Sequence, residues 1–244
     1  MKSRHVFLAD VHLRRDDVRR RETFVRLVDG LAEADVRLYV LGDLFDFWLG
    51  PAQLEVEPEW QTVFDALGRV TAAGGQVTFF HGNRDYCMGR YLTRAIGAET
   101  VPHSTTIDLD GRRVLLTHSD MLCTCDQLYH VARRFTRGRL FSAVWWCVPS
   151  RLKFGCYRVY RNISRRQDRE RRASRHGIDR AALRALVRRG IDVVVCGHVH
   201  APSDRPFRHA GRTLRVITLP TWDDRPAVLE WTGGDFVLTP VEST

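Results

Sequence analysis

The segment Arg37-Leu38-Tyr39-Val40-Leu41-Gly42-Asp43 decides how this chain folds. Residues 37–41 form a mostly apolar run, which predicts a short, buried β-strand. Gly42 and Asp43 end that run, so the strand delivers a carboxylate to its carboxyl end. In the sheets of α/β proteins, ligands bind at the carboxyl ends of the strands. The segment therefore predicts both a sheet and a binding site at its edge.

The same arrangement recurs at four other places along the chain. Strands are predicted over residues 5–9, 76–81, 113–117 and 192–196, and each is followed by polar side chains that bind metals. These side chains are Asp10, His12, Asn83, His118, His198 and His200. Apolar residues at helical spacing predict helices over 21–34, 60–72, 91–96 and 179–189, and further strands are predicted over 105–109, 213–219, 227–231 and 236–240. Strands that first alternate with helices and then form hairpins predict a layered α/β core, and 244 residues suit a single domain over residues 1–244.

The set of side chains at the strand ends points to a metal centre. Together with Asp43 it offers two carboxylates, one amide oxygen and four imidazoles, a mixture that suits Mn, Fe, Zn or Co. A carboxylate can bridge two ions about 4 Å apart, and Asp43 is the natural candidate for that role. Each motif alone is more often a turn, a helix cap or a hydrogen-bonded core histidine. Their joint occurrence favours a pair of metal ions, whose typical chemistry is the hydrolysis of phosphate esters and anhydrides.

Residues 124–180 break the rhythm of strands and helices. Between positions 133 and 175 there are fourteen basic residues and two acidic ones, interleaved with aromatic residues, in a chain with a net charge of +9. This composition predicts a mostly helical insertion whose exposed apolar patches, rimmed by positive charge, suit an anionic membrane surface. It would also suit single-stranded nucleic acid, which we consider the less favoured partner. The longest apolar run, residues 140–149, is too short for the roughly 20 residues of a membrane-spanning helix.

The motifs are similar to those of the calcineurin-like metallophosphoesterases, which run Asp-x-His, Gly-Asp-x-x-Asp, Gly-Asn-His-Asp, His and Gly-His-x-His. The resemblance covers the chain from Asp10 to His200. It implies a four-layer α-β-β-α sandwich with residues 124–180 as a helical lid, and two divalent metal ions, with Mn2+ the expected identity. One ion would be held by Asp10, His12, Asp43 and His200. The other would be held by Asp43, Asn83, His118 and His198.

Arg84 stands where most of that family has histidine. Arginine cannot act as a general acid near pH 7, but its planar fork can hold a phosphoryl oxygen. The resulting Gly-Asn-Arg-Asp, together with residues 41–48, 80–86 and 120–129, resembles the UDP-2,3-diacylglucosamine pyrophosphatase branch of the lipid A pathway. The resemblance implies that water attacks the α-phosphorus of this substrate and releases UMP and 2,3-diacylglucosamine 1-phosphate.

The same resemblance implies roles for individual residues. The catalytic residues would be Asn83, Arg84 and His118. Substrate would be bound by Asn83, Arg84, Asp126, Tyr129, Ser164, Arg171 and His198. We expect a monomer in the cytoplasm, peripheral to the cytoplasmic face of the inner membrane, because no signal peptide precedes the first strand and no heptad pattern is present.

Two other functions remain open at this point. The first is a metallophosphoesterase of different specificity, such as a nucleotide phosphodiesterase, a phosphomonoesterase or a nuclease. The second is a metal-poor scaffold that binds partners through the basic insertion. The scaffold is disfavoured because no metal ligand is missing from the sequence. Ser119 and Ala201, where the branch usually has glycine and arginine, indicate a divergent member.

Overall fold

The computed structural model describes residues 3–48, 50–85, 87–123, 148, 155, 177–223 and 225–242. Within these ranges the chain forms eleven β-strands, four α-helices and two 3₁₀ helices. The strands are β1 Arg4–Leu8, β2 Val36–Val40, β3 Gln76–Phe80, β4 Glu99–Val101, β5 Ser104–Leu109, β6 Arg112–Thr117, β7 Val193–Cys196, β8 Ser203–His209, β9 Arg212–Thr218, β10 Ala227–Trp231 and β11 Phe236–Pro240. The helices are α1 Val18–Asp29, α2 Gln61–Ala72, α3 Gly89–Ile96 and α4 Arg180–Arg188, with 3₁₀ turns at Pro51–Glu55 and Pro58–Trp60.

The strands form two sheets. The first has six strands in the order β11-β10-β1-β2-β3-β4, and β1 to β4 pair in parallel. The second has five strands in the order β5-β6-β7-β9-β8, with β6, β7 and β9 parallel. Parallel strands of one sheet end at the same edge, so the predicted motifs of each sheet lie side by side.

Successive side chains of a strand point to opposite faces of its sheet, and the buried apolar residues divide into three cores. On β1, Val6 and Leu8 pack with the apolar faces of α1, α2 and α3, whereas Phe7 packs between the two sheets. On β7, Val195 joins Phe7 in this central core, whereas Val194 packs against α4. Strands β1 and β7 thus bury both faces, as expected where a sheet is covered by helices on one side and by the other sheet on the other. The result is the four-layer α-β-β-α arrangement that the resemblance implied.

Element boundaries differ from the sequence prediction mainly at α1. The helix was predicted over residues 21–34, but it begins at Val18 and ends at Asp29. The Asp17 carboxylate accepts a hydrogen bond from the backbone N–H of Arg20 at 3.1 Å and so caps the helix earlier than the apolar pattern indicates. Strands β4 and β8 were not predicted.

The predicted insertion begins and ends at neighbouring points of the core. The carbonyl of Leu122 accepts a hydrogen bond from the backbone N–H of Asp179 at 2.9 Å, and the Asp179 carboxylate caps α4. Almost all of residues 124–176 lie outside the described ranges, and with them the predicted substrate-binding residues Asp126, Tyr129, Ser164 and Arg171. No helix in the described part of the chain is long and apolar enough to cross a membrane.

Candidate metal centre

The loops that follow β1 and β2 run side by side and continue the pairing of these strands. The backbone N–H of Asp10 donates to the carbonyl of Gly42 at 3.2 Å, and that of His12 donates to the carbonyl of Asp43 at 3.0 Å. Leu13 then pairs with Phe45 in a parallel bridge. This register places Asp10 and His12 next to Asp43 at the carboxyl edge of the first sheet.

Hydrogen bonds between the sheets bring the remaining motifs to the same edge. The Nδ1 atom of His118, after β6, lies 2.8 Å from the carbonyl oxygen of Leu41 in the first sheet. The backbone N–H of His198, after β7, donates to Asp10 Oδ2 at 2.7 Å. All five predicted segments therefore meet in one crevice that spans both sheets.

The first group of potential ligands surrounds the carboxylate of Asp10. Asp10 Oδ1 lies 3.3 Å from His200 Nε2 and 3.8 Å from His12 Nε2. Ligand atoms of Asp10, His12 and His200 all lie within 4.8 Å of one another. These separations fit donors arranged around a single cation, because ligands about 2.0–2.2 Å from a metal lie at most roughly twice that distance apart.

The second group surrounds the amide oxygen of Asn83. Asn83 Oδ1 lies 3.1 Å from His118 Nε2 and 3.1 Å from His198 Nδ1. The two groups meet at one carboxylate oxygen, since Asp43 Oδ2 is 3.6 Å from His12 Nε2 and 3.7 Å from His118 Nε2. Asp43 thus occupies the position between the groups that a bridging ligand requires.

The backbone at the site is strained. Five of the seven candidate ligands adopt positive φ angles, which non-glycine residues rarely do. They are Asp10, His12, Asp43, His198 and His200. Each such residue costs about 1–3 kcal/mol, and such residues cluster at functional sites where the surrounding structure holds them in place. Because this strain costs stability, its presence at five candidate ligands indicates that their conformation serves a function.

The glycines of the motifs allow the close approach of neighbouring loops. A Cβ atom on Gly82 would lie 2.1 Å from Asp43 Oδ1, and one on Gly197 would lie 2.5 Å from Asp10 Oδ2. A Cβ atom on Gly42 would lie 2.7 Å from the Cα of Gly82. Only glycine fits at these three positions, because any side chain would push a candidate ligand or its loop aside.

The pKa values of the buried groups reflect their mutual attraction. Burial alone would raise the pKa of the Asp43 carboxyl, but the charges of His118, His12 and Arg84 outweigh it and lower that pKa. Burial opposes a charge on His12 and His118, but the neighbouring carboxylates raise the pKa of both imidazoles. Burial and the nearby His118 lower the pKa of His198 to about 4, so this imidazole is neutral at pH 7.

Several buried polar atoms at the site face one another as a cation would require. Asp10 Oδ1 and His12 Nε2 are buried and meet no partner in hydrogen-bond geometry within the described residues, although such atoms are normally satisfied. His118 donates its Nδ1–H to the carbonyl of Leu41, so in the neutral form of this imidazole the lone pair of Nε2 faces the oxygen of Asn83 at 3.1 Å. A proton or a metal ion must lie between these two acceptors. The residues present therefore fit divalent cations.

Residues 3–202 match the family model described as calcineurin-like phosphoesterase. The chain belongs to this family. A UDP-2,3-diacylglucosamine hydrolase of Aeromonas salmonicida is 32% identical over 94% of this chain and 90% of its own length. A protein of the same name from Pseudomonas putida is 31% identical over 97% of this chain and 98% of its own. Among solved structures, an archaeal phosphodiesterase has a TM-score of 0.48 at 10% identity, covering 97% of this chain and 99% of its own.

Arg84, the departure from the usual family motif, is fixed beside the candidate metal centre. Its Nη1 atom donates to Asp46 Oδ1 at 2.6 Å, and its Nε atom lies 3.6 Å from Asp43 Oδ2. The backbone N–H of Arg84 also donates to Asp43 Oδ1 at 2.9 Å. The structure thus brings Arg84 to the candidate ligands, and it adds Asp46, to which the sequence analysis gave no role, as the residue that holds its side chain.

Asp85 is a second residue of this phosphoesterase site whose role the sequence did not predict. Its buried carboxylate accepts hydrogen bonds from the backbone N–H groups of Gly82, Asp43 and Leu44, at 3.1, 3.2 and 2.7 Å. Burial and the charge of Asp43 raise its pKa to about 7. Asp85 therefore ties the loop after β3 to the loop after β2, and its place at the end of Gly-Asn-Arg-Asp is the signal that could have revealed it.

Proposed function

We propose that the protein hydrolyses the pyrophosphate of UDP-2,3-diacylglucosamine to UMP and 2,3-diacylglucosamine 1-phosphate, by attack of water on the α-phosphorus. The observation that carries this proposal is the similarity to the UDP-2,3-diacylglucosamine hydrolases, which extends over at least 90% of both chains. Arg84, the residue at which the motif resembles that branch, lies against the candidate ligand Asp43 and is consistent with the proposal.

The metal ligands follow from the two groups at the strand ends. Asp10, His12, Asp43 and His200 would hold one divalent ion, and Asp43, Asn83, His118 and His198 the other. Mn2+ is the ion we propose because the family resemblance implies it; the mixture of oxygen and imidazole donors suits Mn, Fe, Zn and Co alike. Bound by these residues, a pair of such ions would supply an activated water and positive charge to stabilise the phosphoryl oxygens.

The residues around the ligands have distinct roles in this reaction. Arg84 binds the phosphoryl group with a permanent charge that Asp46 holds in place, so no proton moves when substrate binds. His198, neutral at pH 7, offers a lone pair and supplies no proton to the leaving group. Asn83 Oδ1 and His118 Nε2 lie 3.1 Å apart and face the same point, so the substrate phosphate would bind at a rigid site.

The basic insertion is proposed to contact lipid. Its composition suits both the acyl chains of the substrate and an anionic bilayer, and the bond between Leu122 and Asp179 attaches it next to the carboxyl edge where β6 ends. Within it, Asp126, Tyr129, Ser164 and Arg171 are the proposed substrate contacts. We propose a monomer that binds the cytoplasmic face of the inner membrane without crossing it.

The decisive experiment compares substrates for the purified protein supplied with Mn2+. We expect UMP release from UDP-2,3-diacylglucosamine in detergent micelles with a kcat/KM at least 100-fold above that for bis-p-nitrophenyl phosphate or p-nitrophenyl phosphate. A preference for either chromogenic ester, or for RNA, would refute the lipid substrate and favour a phosphoesterase of other specificity.

A second experiment tests the membrane surface. The protein should sediment with vesicles that contain phosphatidylglycerol and much less with phosphatidylcholine alone, and added salt should weaken the binding because exposed charges are screened. Equal binding to both vesicle types would contradict the electrostatic part of the proposal.

A further inference from the structure

The loop after β9, residues 219–223, lies against the first ligand loop. The backbone N–H of Trp222 donates to the carbonyl of Asp10 at 3.1 Å, and the Thr221 hydroxyl donates to the same carbonyl at 3.2 Å. The backbone N–H of Leu219 donates to the carbonyl of Cys196 at 2.8 Å. These bonds fix the loop on both sheets, and they place the next residue, Asp223, beside His12.

Asp223 determines which nitrogen of His12 carries the proton. Its Oδ2 atom lies 3.2 Å from His12 Nδ1, and a carboxylate can only accept, so Nδ1 is the protonated nitrogen. The lone pair of neutral His12 is then on Nε2, the atom that lies 3.6 Å from Asp43 Oδ2 and 3.8 Å from Asp10 Oδ1. Carboxylates that bind the outer nitrogen of a metal-ligating imidazole fix its tautomer and orientation in this way.

Two arginines hold the Asp223 carboxylate in place. Its Oδ1 atom accepts hydrogen bonds from Arg20 Nη1 at 2.8 Å and from Arg14 Nη2 at 3.0 Å. The same Nη1 atom of Arg20 also donates to the backbone carbonyls of Val11 and His12, at 3.1 and 3.3 Å. The side chains of Arg20 and Asp223 are only 12% and 15% exposed, so solvent screens this network weakly.

We propose that Asp223, held by Arg14 and Arg20, is a positioning residue for the metal ion that His12 binds. It acts through His12, whose Nε2 lone pair it directs at the ion. The inference rests on the metal centre of the proposed function and is independent of which phosphate ester is hydrolysed. No motif of the family resemblance includes Asp223.

The test is a metal titration of full-length apoprotein with Mn2+ by isothermal titration calorimetry. The variants are Asp223→Ala and Asp223→Asn, with Asp29→Ala as the matched control, because Asp29 also pairs with an arginine, Arg69, but at the end of α1. Asp223→Ala should weaken the binding of one of the two ions by about 10–100-fold and leave the affinity for the other ion unchanged. Asp223→Asn, which can still accept from His12, should fall between wild type and Asp223→Ala. The asparagine variant keeps the test decisive if Asp223→Ala does not fold.

Two further readouts separate positioning from general destabilisation. In Asp223→Ala the Mn2+ concentration for half-maximal hydrolysis of bis-p-nitrophenyl phosphate should rise about 10–100-fold, and saturating Mn2+ should restore most of kcat. In the apoprotein, at a pH high enough for His12 to be neutral, NMR of the imidazole nitrogens should show the Nδ1-protonated tautomer in wild type and a mixture in the variant.

The inference is overturned if Asp223→Ala binds both ions with wild-type affinity, or if Asp29→Ala weakens binding as much. If the wild-type protein binds no metal ion, both the proposed metal centre and the proposed role of Asp223 are refuted. Failure to hydrolyse the lipid substrate, with metal titrations as expected, would refute the proposed substrate and leave the role of Asp223 intact.

Discussion

Replacing Arg84 by alanine should slow hydrolysis strongly while the metal ions stay bound. The bond from Arg84 to Asp43 Oδ1 is made by the backbone N–H, so an alanine keeps it. The side chain itself donates to Asp46, and its Nε atom lies 3.6 Å from Asp43 Oδ2. The substitution therefore removes the charge that meets the phosphoryl group and leaves the candidate ligands in place.

The size of the effect follows from the position of this charge. The Arg84 side chain is 13% exposed, so its interaction with a phosphoryl oxygen is poorly screened. Removing one such donor of transition-state charge typically lowers kcat about 10²–10³-fold, or roughly 2.7–4 kcal/mol. Arg84→Lys keeps a charge but loses the planar fork, so its rate should lie between those of wild type and Arg84→Ala. Asp46→Asn weakens the hydrogen bond that holds the Arg84 side chain. A misplacement of that side chain by about 1 Å can lower the rate by up to roughly 10²-fold.

The assay measures kcat and KM of the four proteins at saturating Mn2+, together with metal content by elemental analysis. The expected result is two bound ions in every protein and a fall in kcat for Arg84→Ala. An Arg84→Ala protein that has lost its ions would show that Arg84 supports the ligands. A rate within threefold of wild type would show that Arg84 does not touch the phosphoryl group.

Three further substitutions, two of them with a matched control, test the site and the core. Asp43→Ala should abolish turnover because both groups of ligands lose an oxygen, and near-normal activity would refute the bridging role. Gly82→Ala should lower both activity and melting temperature, because its Cβ would lie 2.1 Å from Asp43 Oδ1, whereas Gly234→Ala has no atom within 4 Å and should behave as wild type. Phe7→Ala, in the core between the sheets, should lower the free energy of unfolding by about 3–5 kcal/mol in urea titrations. Val237→Ala, at a side chain that is 47% exposed, should change it by less than about 0.5 kcal/mol.

The buried parallel strands could be predicted because their sequence carries the signal. Strands β2 and β7 are buried on both faces, so each is a continuous apolar run that ends at glycine and a polar residue. The predicted and observed bounds of these strands differ by one residue. The positions of the candidate ligands could be predicted with them, since a residue just beyond a parallel strand must lie at the carboxyl edge of the sheet.

The strand β8 could not be predicted in this way. Its sequence, residues 203–209, has exposed or partly exposed side chains throughout and contains Pro206, which argues against a central strand. It forms because backbone pairing with β9 extends over seven residues at the edge of the second sheet. Such a strand depends on its neighbour, and the neighbour is known only when the sheets are assembled. The three-residue strand β4 was missed because it is too short for any pattern.

The acids that support the site escaped prediction for a related reason. Asp46 and Asp85 stand in the motifs and Asp223 stands in none, but the sequence does not show their partners, which lie 38, 41 and 211 positions away, at Arg84, Leu44 and His12. Each acid binds a different part of the site, so together they hold the strained loops through hydrogen bonds within the protein. The cost of the positive φ angles is then offset by contacts that do not involve metal. Hydrogen bonds within the protein therefore help to hold the candidate ligands in place at the carboxyl edges of the two sheets.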